Sequence, residues 1–149
     1  MRKSASACWL ISALFAGVLA CVVEGREAGT TKWIKTDGTA GDWDEPSNWD
    51  NGVPQEGDDV VINVMGKAFI TLSHETPQLN SLYMQDAHAN PVEAYSQQIT
   101  CSGWNTRIRA TTITVGVGGV ITHAGPYETE ATANRVWVQA ETLTIVEGG

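Results

Sequence analysis

The stretch Thr112-Ile113-Thr114-Val115-Gly116-Val117-Gly118-Gly119 aligns position for position with Thr142-Leu143-Thr144-Ile145-Val146-Glu147-Gly148-Gly149. Ser81-Leu82-Tyr83-Met84 carries a similar run, set ahead of Thr112-Ile113-Thr114-Val115 by nearly the same interval. Self-similarity at this spacing, built of short strand-like runs and glycine turns without helices, is the mark of a solenoid whose coils stack. A single coil cannot bury its own apolar face, so its neighbour supplies the core. The repeat therefore predicts an all-β, right-handed parallel β-helix. A β-sandwich also accommodates short strands spaced about 8–12 residues apart, but it does not predict this self-similarity.

The same patterning extends towards the N-terminus. Apolar residues alternate at Val60, Ile62 and Val64, at Ile70 and Leu72, at Leu82 and Met84, at Ile99 and Cys101, and at Ile108 and Ala110. The series continues through Ile113, Val115 and Val117, then Val136 and Val138, then Leu143 and Ile145. Each run has the period of two that marks a strand with one buried face. Three to four coils are expected from residue 60 to residue 149. Residues 26–59, rich in Gly, Asp, Asn and Trp, are expected to form a cap ahead of them. The inserts Asp86 to Gln98 and His123 to Ala133 are expected as loops at coil corners, where repeat folds usually carry function. An apolar strand at Leu143 and Ile145, with only the Gly148-Gly149 turn after it, predicts an uncapped coil end and a truncated stack prone to self-association.

Composition narrows the function classes. The 149 residues carry 9 Lys and Arg against 17 Asp and Glu, a net charge of −8. That balance argues against a nucleic-acid partner, which needs a basic patch. Residues 1–25 have the build of a cleaved signal peptide: Arg2 and Lys3, an uncharged apolar run from Ala7 to Val23, then small residues suited to cleavage. A transmembrane anchor is the alternative reading, and the run is at the lower edge of what spans a bilayer. Val18-Leu19-Ala20-Cys21 also has the form of a lipobox, which would lipidate Cys21. Either processing route predicts a secreted or cell-surface protein. Cleavage after Gly25 leaves Cys101 as the one cysteine, which cannot form an intramolecular disulfide. Its parity with Ile99 predicts a buried, unreactive thiol.

From Trp43 through Asp44-Glu45-Pro46-Ser47-Asn48-Trp49-Asp50-Asn51-Gly52-Val53-Pro54-Gln55-Glu56-Gly57-Asp58-Asp59-Val60-Val61 to Ile62 the chain resembles a known pattern. It is similar to the segment that leads into the first coil of secreted bacterial parallel β-helix proteins, of the pectate-lyase-like and autotransporter-passenger type. There the pattern reads W-x-x-P-x-x-W-x-x-G-V-P-x-x-G-D-x-V-x-I. The Leu-Thr-Ile-x-x-Gly-Gly run at Leu143 to Gly149 is similar to the coil repeats of those proteins. The resemblance implies a capped β-helix. It leaves activity open, because the superfamily spans lyases, hydrolases, adhesins and structural shafts.

Candidate sites follow from chemistry-bearing residues. Trp33, Trp43 and Trp49 stand beside Asp42, Asp44 and Asp50, and read either as a lid over the first coil or as a glycan-stacking platform. Trp137 lies between Val136 and Val138, so it faces outward with Arg135 and Gln139, as a contact for a glycan, another chain or a loop folding back. Asp42, Asp44, Asp50, Asn51, Asp58 and Asp59 offer oxygen atoms for calcium, but EF-hand spacing fails and Asx-turns account for the same residues. His74, His88 and His123 read as exposed turn residues with no metal-ligand spacing. Arg107 and Arg109 flank Ile108 and point outward, where a β-elimination lyase would place a base, without the facing rows of carboxylates.

No catalytic motif, metal site or cofactor site is expected. The residues point to a non-enzymatic scaffold presenting loops for adhesion or contact with a polysaccharide or other cell-surface component. The competing reading is the N-terminal part of a polysaccharide lyase or glycoside hydrolase.

Overall fold

A computed structural model describes residues 26–87, 95–125 and 135–147. The signal segment 1–25 with Cys21, His88, much of the two inserts and the Gly148-Gly149 turn lie outside the described residues. Among the described residues nine strands follow one another: β1 (Thr30–Lys32), β2 (Ala40–Asp42), β3 (Asp59–Ile62), β4 (Ala68–Leu72), β5 (Leu79–Met84), β6 (Gln97–Cys101), β7 (Ile108–Val115), β8 (Gly119–His123) and β9 (Val138–Ile145). A short 3-10 helix, Pro46–Asn48, interrupts the path between β2 and β3.

The odd strands form one sheet in the order β1-β3-β5-β7-β9, and the even strands form a second in the order β2-β4-β6-β8. Every pairing in both sheets is parallel. The chain thus alternates between two walls and climbs as it goes, a β-solenoid of about three turns. A sandwich would pair its strands antiparallel, and none of these strands does so.

The sequence repeat is the structural register. Thr112, Ile113 and Val115 pair with Thr142, Leu143 and Ile145. Ser81 and Leu82 pair with Thr112 and Ile113. Residues one coil apart occupy equivalent positions, so selection for an inward apolar side chain recurs from coil to coil. Other coils are shorter: Val60 pairs with Leu82, and Ile99 pairs with Ile121.

Inward positions of successive strands stack into one core. Val60, Ile62, Ile70, Leu72, Leu82, Met84, Ile99, Cys101 and Ile113 are all within 1% of full burial. Each aliphatic side chain removed from water contributes about 1.5–3 kcal/mol. The uppermost coil is different, because Leu143 and Ile145 on β9 are 50% and 63% exposed.

Two expectations need adjustment. Residues 26–59, read as a cap ahead of the coils, themselves supply the first strand of each wall, with Thr31 paired to Val60 and Gly41 to Ile70. These strands are three residues long and their inward residues are Thr31 and Gly41, so they carry no apolar alternation. Gly41 is small for a reason: a Cβ there would stand 2.8 Å from the Trp33 ring and from Asn48 Nδ2. Val136, grouped with Val138 in one run, precedes β9 and is 40% exposed.

Candidate functional site

The leading segment places its three indoles in the core. Trp33, Trp43 and Trp49 are 2%, 0% and 3% exposed and share one hydrophobic cluster with Val60 and Ile62. Trp33 meets Trp49 edge-to-face at 5.1 Å between ring centroids, and Trp43 meets Trp49 at 5.0 Å, geometry that suits the ring quadrupoles. Trp49 Nε1 donates to the Trp43 carbonyl at 2.8 Å, and Trp33 Nε1 donates to the Lys35 carbonyl at 2.8 Å. Glu45 caps the intervening 3-10 turn by accepting from the Ser47 amide. This is the lid arrangement. A glycan platform at Trp33, Trp43 and Trp49 would need ring faces open to water, and here those faces lie against one another and the core.

The acidic residues around the lid are tied to the backbone. Asp42 Oδ1 accepts from the Asp44 amide at 2.9 Å, which is an Asx-turn. Asp50 Oδ1 accepts from the Lys32 amide at 2.7 Å. Asp58 is fully buried, accepts from the Gly29 and Gln55 amides at 2.8 Å each, and pairs with the Arg26 guanidinium. These bonds pin the backbone at Gly29 and Gln55, and the Arg26 side chain, to the start of the stack. Among the described residues, no group of three or more His, Cys, Asp or Glu can hold a metal ion. His74 lies at an edge, with Nδ1 3.2 Å from Asp44 Oδ2. Cys101 is fully buried, and burial pushes its thiol up to about 11, so the nucleophilic thiolate is scarce at neutral pH.

The outer wall carries the cluster with the most chemistry. Trp137, just before β9, faces outward and is 37% exposed. The Arg107 guanidinium, one coil below, lies 3.4 Å from its ring centroid, and that of Arg135 lies 4.2 Å from it. Arg135 also lies 4.3 Å from the ring centroid of Trp104, while its Nε donates to the Trp104 carbonyl at 3.0 Å. The result is a ladder of guanidinium and indole groups: Trp104, Arg135, Trp137, Arg107. Cation–π attraction and planar stacking both favour it.

Glu75 anchors the lower end. Its two oxygens lie 2.9 Å from Arg109 Nη1 and 3.3 Å from Arg107 Nη1. Two arginines thus share this one carboxylate, and Arg135 lies against the same Trp137 ring as Arg107. Beside the ladder an open groove of about 320 Å³ runs between Gln78, Thr111, Gln139 and Glu141. Arg107 Nη1 reaches Gln139 Oε1 at 3.5 Å, which joins groove and ladder.

Of the tryptophans read from the sequence as contact candidates, the structure leaves Trp137 at the surface and buries Trp33, Trp43 and Trp49. Arg107 and Arg109 point outward as expected, but they face Glu75 and Trp137. Trp104 and Glu75 belong to no motif and carry no mark of their own in the sequence. The repeat is the signal that could find Trp104. Carried from the strands to the corners, the register that pairs Ile108 with Val138 sets Arg107 beneath Trp137 and brings Trp104 to within one position of Arg135. No family model, curated protein or solved structure matches this chain.

Proposed function

We propose that the chain is a secreted or surface-displayed β-solenoid scaffold that contacts polysaccharide through its outer wall, with adhesion rather than bond cleavage as its role. The observation that carries this reading is the ladder of Trp104, Arg135, Trp137 and Arg107, with both tryptophans 37% exposed. A rigid wall holds indole edges and guanidinium N–H groups in alternation along the stack. A hydroxyl-rich polymer lying across it meets guanidinium donors for its oxygens, with the exposed parts of the two indoles in apolar contact beside them. Little side-chain freedom is lost on binding, because the stacked partners already hold each other in place. The likeness of residues 43–62 to the β-helix proteins of the pectate-lyase-like and autotransporter-passenger type supports a place among them. The apolar segment behind Arg2 and Lys3 supports export.

Affinity electrophoresis through gels containing neutral or acidic polysaccharides tests the reading. The expected result is retardation by at least one polymer that is lost in a Trp104→Ala/Trp137→Ala variant with an unchanged circular dichroism spectrum. Free migration of the parent in every gel, or equal retardation of parent and variant, would overturn it.

A further inference from the structure

We infer that the groove between Gln78, Thr111, Gln139 and Glu141 is a sugar-binding subsite that selects uncharged residues, so that the polymer held by the wall is a neutral polysaccharide. This rests on the reading of the outer wall as a polysaccharide contact, and it names the class of polymer.

The groove follows from a break in alternation. On β7, Thr111 and Thr112 are both half-buried between buried Ala110 and Ile113. The same break runs through three coils. Leu79, Ala110 and Ala140 pair in one row and Ser81, Thr112 and Thr142 in another, with Asn80, Thr111 and Glu141 outside the register between them. The strands bend there, and the bend opens a hollow of about 320 Å³ with the small side chains of Ala110 and Ala140 in its lining. At the small end of the range for ligand sites, it has room for a sugar ring. It opens on the outer face of the wall, at right angles to the sheet edges, so access does not depend on what adjoins β9.

Its polar atoms suit hydroxyl groups. Glu141 is exposed, and among the described residues its carboxylate pairs with no cation. Gln78 Nε2 donates to the Leu79 carbonyl at 3.3 Å, which leaves Gln78 Oε1 as an acceptor. Gln139 Oε1 accepts from Arg107 Nη1 at 3.5 Å, which leaves Gln139 Nε2 as a donor. The Thr111 hydroxyl both donates and accepts. Acceptors therefore outnumber donors. A sugar hydroxyl donates as well as accepts and satisfies them. A carboxylate or sulfate only accepts, and here it would face Glu141 and Gln78 Oε1, so like charge and unmatched acceptors turn it away.

The neighbouring ladder makes the opposite demand. Trp137 and Gln139 stand two residues apart on one face, about 7 Å in an extended chain, so one polymer reaches both. Among the described residues Arg135 pairs with no carboxylate, and its guanidinium repels an ammonium group. A polyanion suits the ladder and is repelled at the groove, and a polycation meets the reverse. An uncharged polymer is accepted along the whole path. The net charge of −8 also weighs against a polyanion.

The test is affinity electrophoresis of the full chain, purified after export, in low-salt gels holding one backbone in uncharged or charged form. The pairs are methyl-esterified pectin and polygalacturonate, hydroxyethyl and carboxymethyl cellulose, and glycol chitin and glycol chitosan. On at least one backbone the uncharged form should bind about fivefold or more tighter, the size of a like-charge contact in water. Equal or tighter binding of the charged form on every backbone that binds would overturn the selectivity and leave polysaccharide contact standing. Free migration in every gel would overturn both.

Two variants place the selectivity in the groove. Glu141→Gln should abolish the preference over the polyanion, whereas Glu147→Gln, which removes an exposed carboxylate six residues further along the chain, should keep it. Equal loss in both variants, or loss in neither, would count against the subsite. Thr111→Phe fills the groove from an outward position and should abolish retardation by the uncharged form with an unchanged circular dichroism spectrum. Full retardation of that folded variant would overturn the assignment. Glu141 is exposed, so its variant still decides the matter should Thr111→Phe fail to fold.

Discussion

The Arg107 guanidinium lies 3.4 Å from the centroid of the Trp137 ring, although the two residues stand a full turn of the solenoid apart in the chain. That turn brings them into contact, and the backbone of the same coils is joined by the Ile108 amide donating to the Trp137 carbonyl at 2.9 Å. The stack is therefore part of how the uppermost coil is held to the one below. It also sets the geometry of the outer wall.

If that contact couples the coils, Arg107→Ala and Trp137→Ala will not add. A double-mutant cycle in urea is expected to return about 0.5–1 kcal/mol of coupling, the size of an exposed cation–π pair. Additive losses would show that ring and guanidinium are neighbours without energetic consequence.

Trp43 and Trp49 are buried, so truncation should empty a large volume at the first coil. Each Ala variant is expected to lose about 3–5 kcal/mol of unfolding free energy. Thermal or chemical melts that superimpose on the parent would contradict the lid.

Gly41 faces the Trp33 ring with no room for a methyl group, because a Cβ would approach to 2.8 Å. Gly41→Ala is expected to cost about 1–3 kcal/mol through overpacking. A melting temperature at or above the parent's would mean that the ring shifts without penalty.

Burial raises the Cys101 thiol from 9.0 to about 11 in the folded chain. The unfolded chain then releases this proton at lower pH than the folded one. Its stabilising contribution is full below about 9 and is lost as pH rises towards about 11. Unfolding free energy should fall across that interval, and less steeply in a Cys101→Ala variant. At pH 8 a maleimide should label Cys101 only after denaturant is added, and rapid native labelling would place the thiol at the surface.

The alternation of β3 to β7 was legible in the chain because each strand has one face in the core, so apolar residues recur every second position. The correspondence of Thr112 with Thr142 was legible for the same reason, carried from one coil to the next. Thr31 and Gly41 lacked that mark: one buries a hydroxyl bonded to the Gly52 carbonyl at 2.8 Å, and the other yields its space to an indole. The shorter coils, from Val60 to Leu82 and from Ile99 to Ile121, were hidden because loop length does not alter register, only the count of residues between equivalent positions. The sequence by itself determined that strands form, which faces they bury, and that they stack in parallel. Only the tertiary structure decided which corners meet. Trp104, Arg135, Trp137 and Arg107 come together because the stacking of coils sets their separation, and side chains at corners obey no alternation that the chain alone displays.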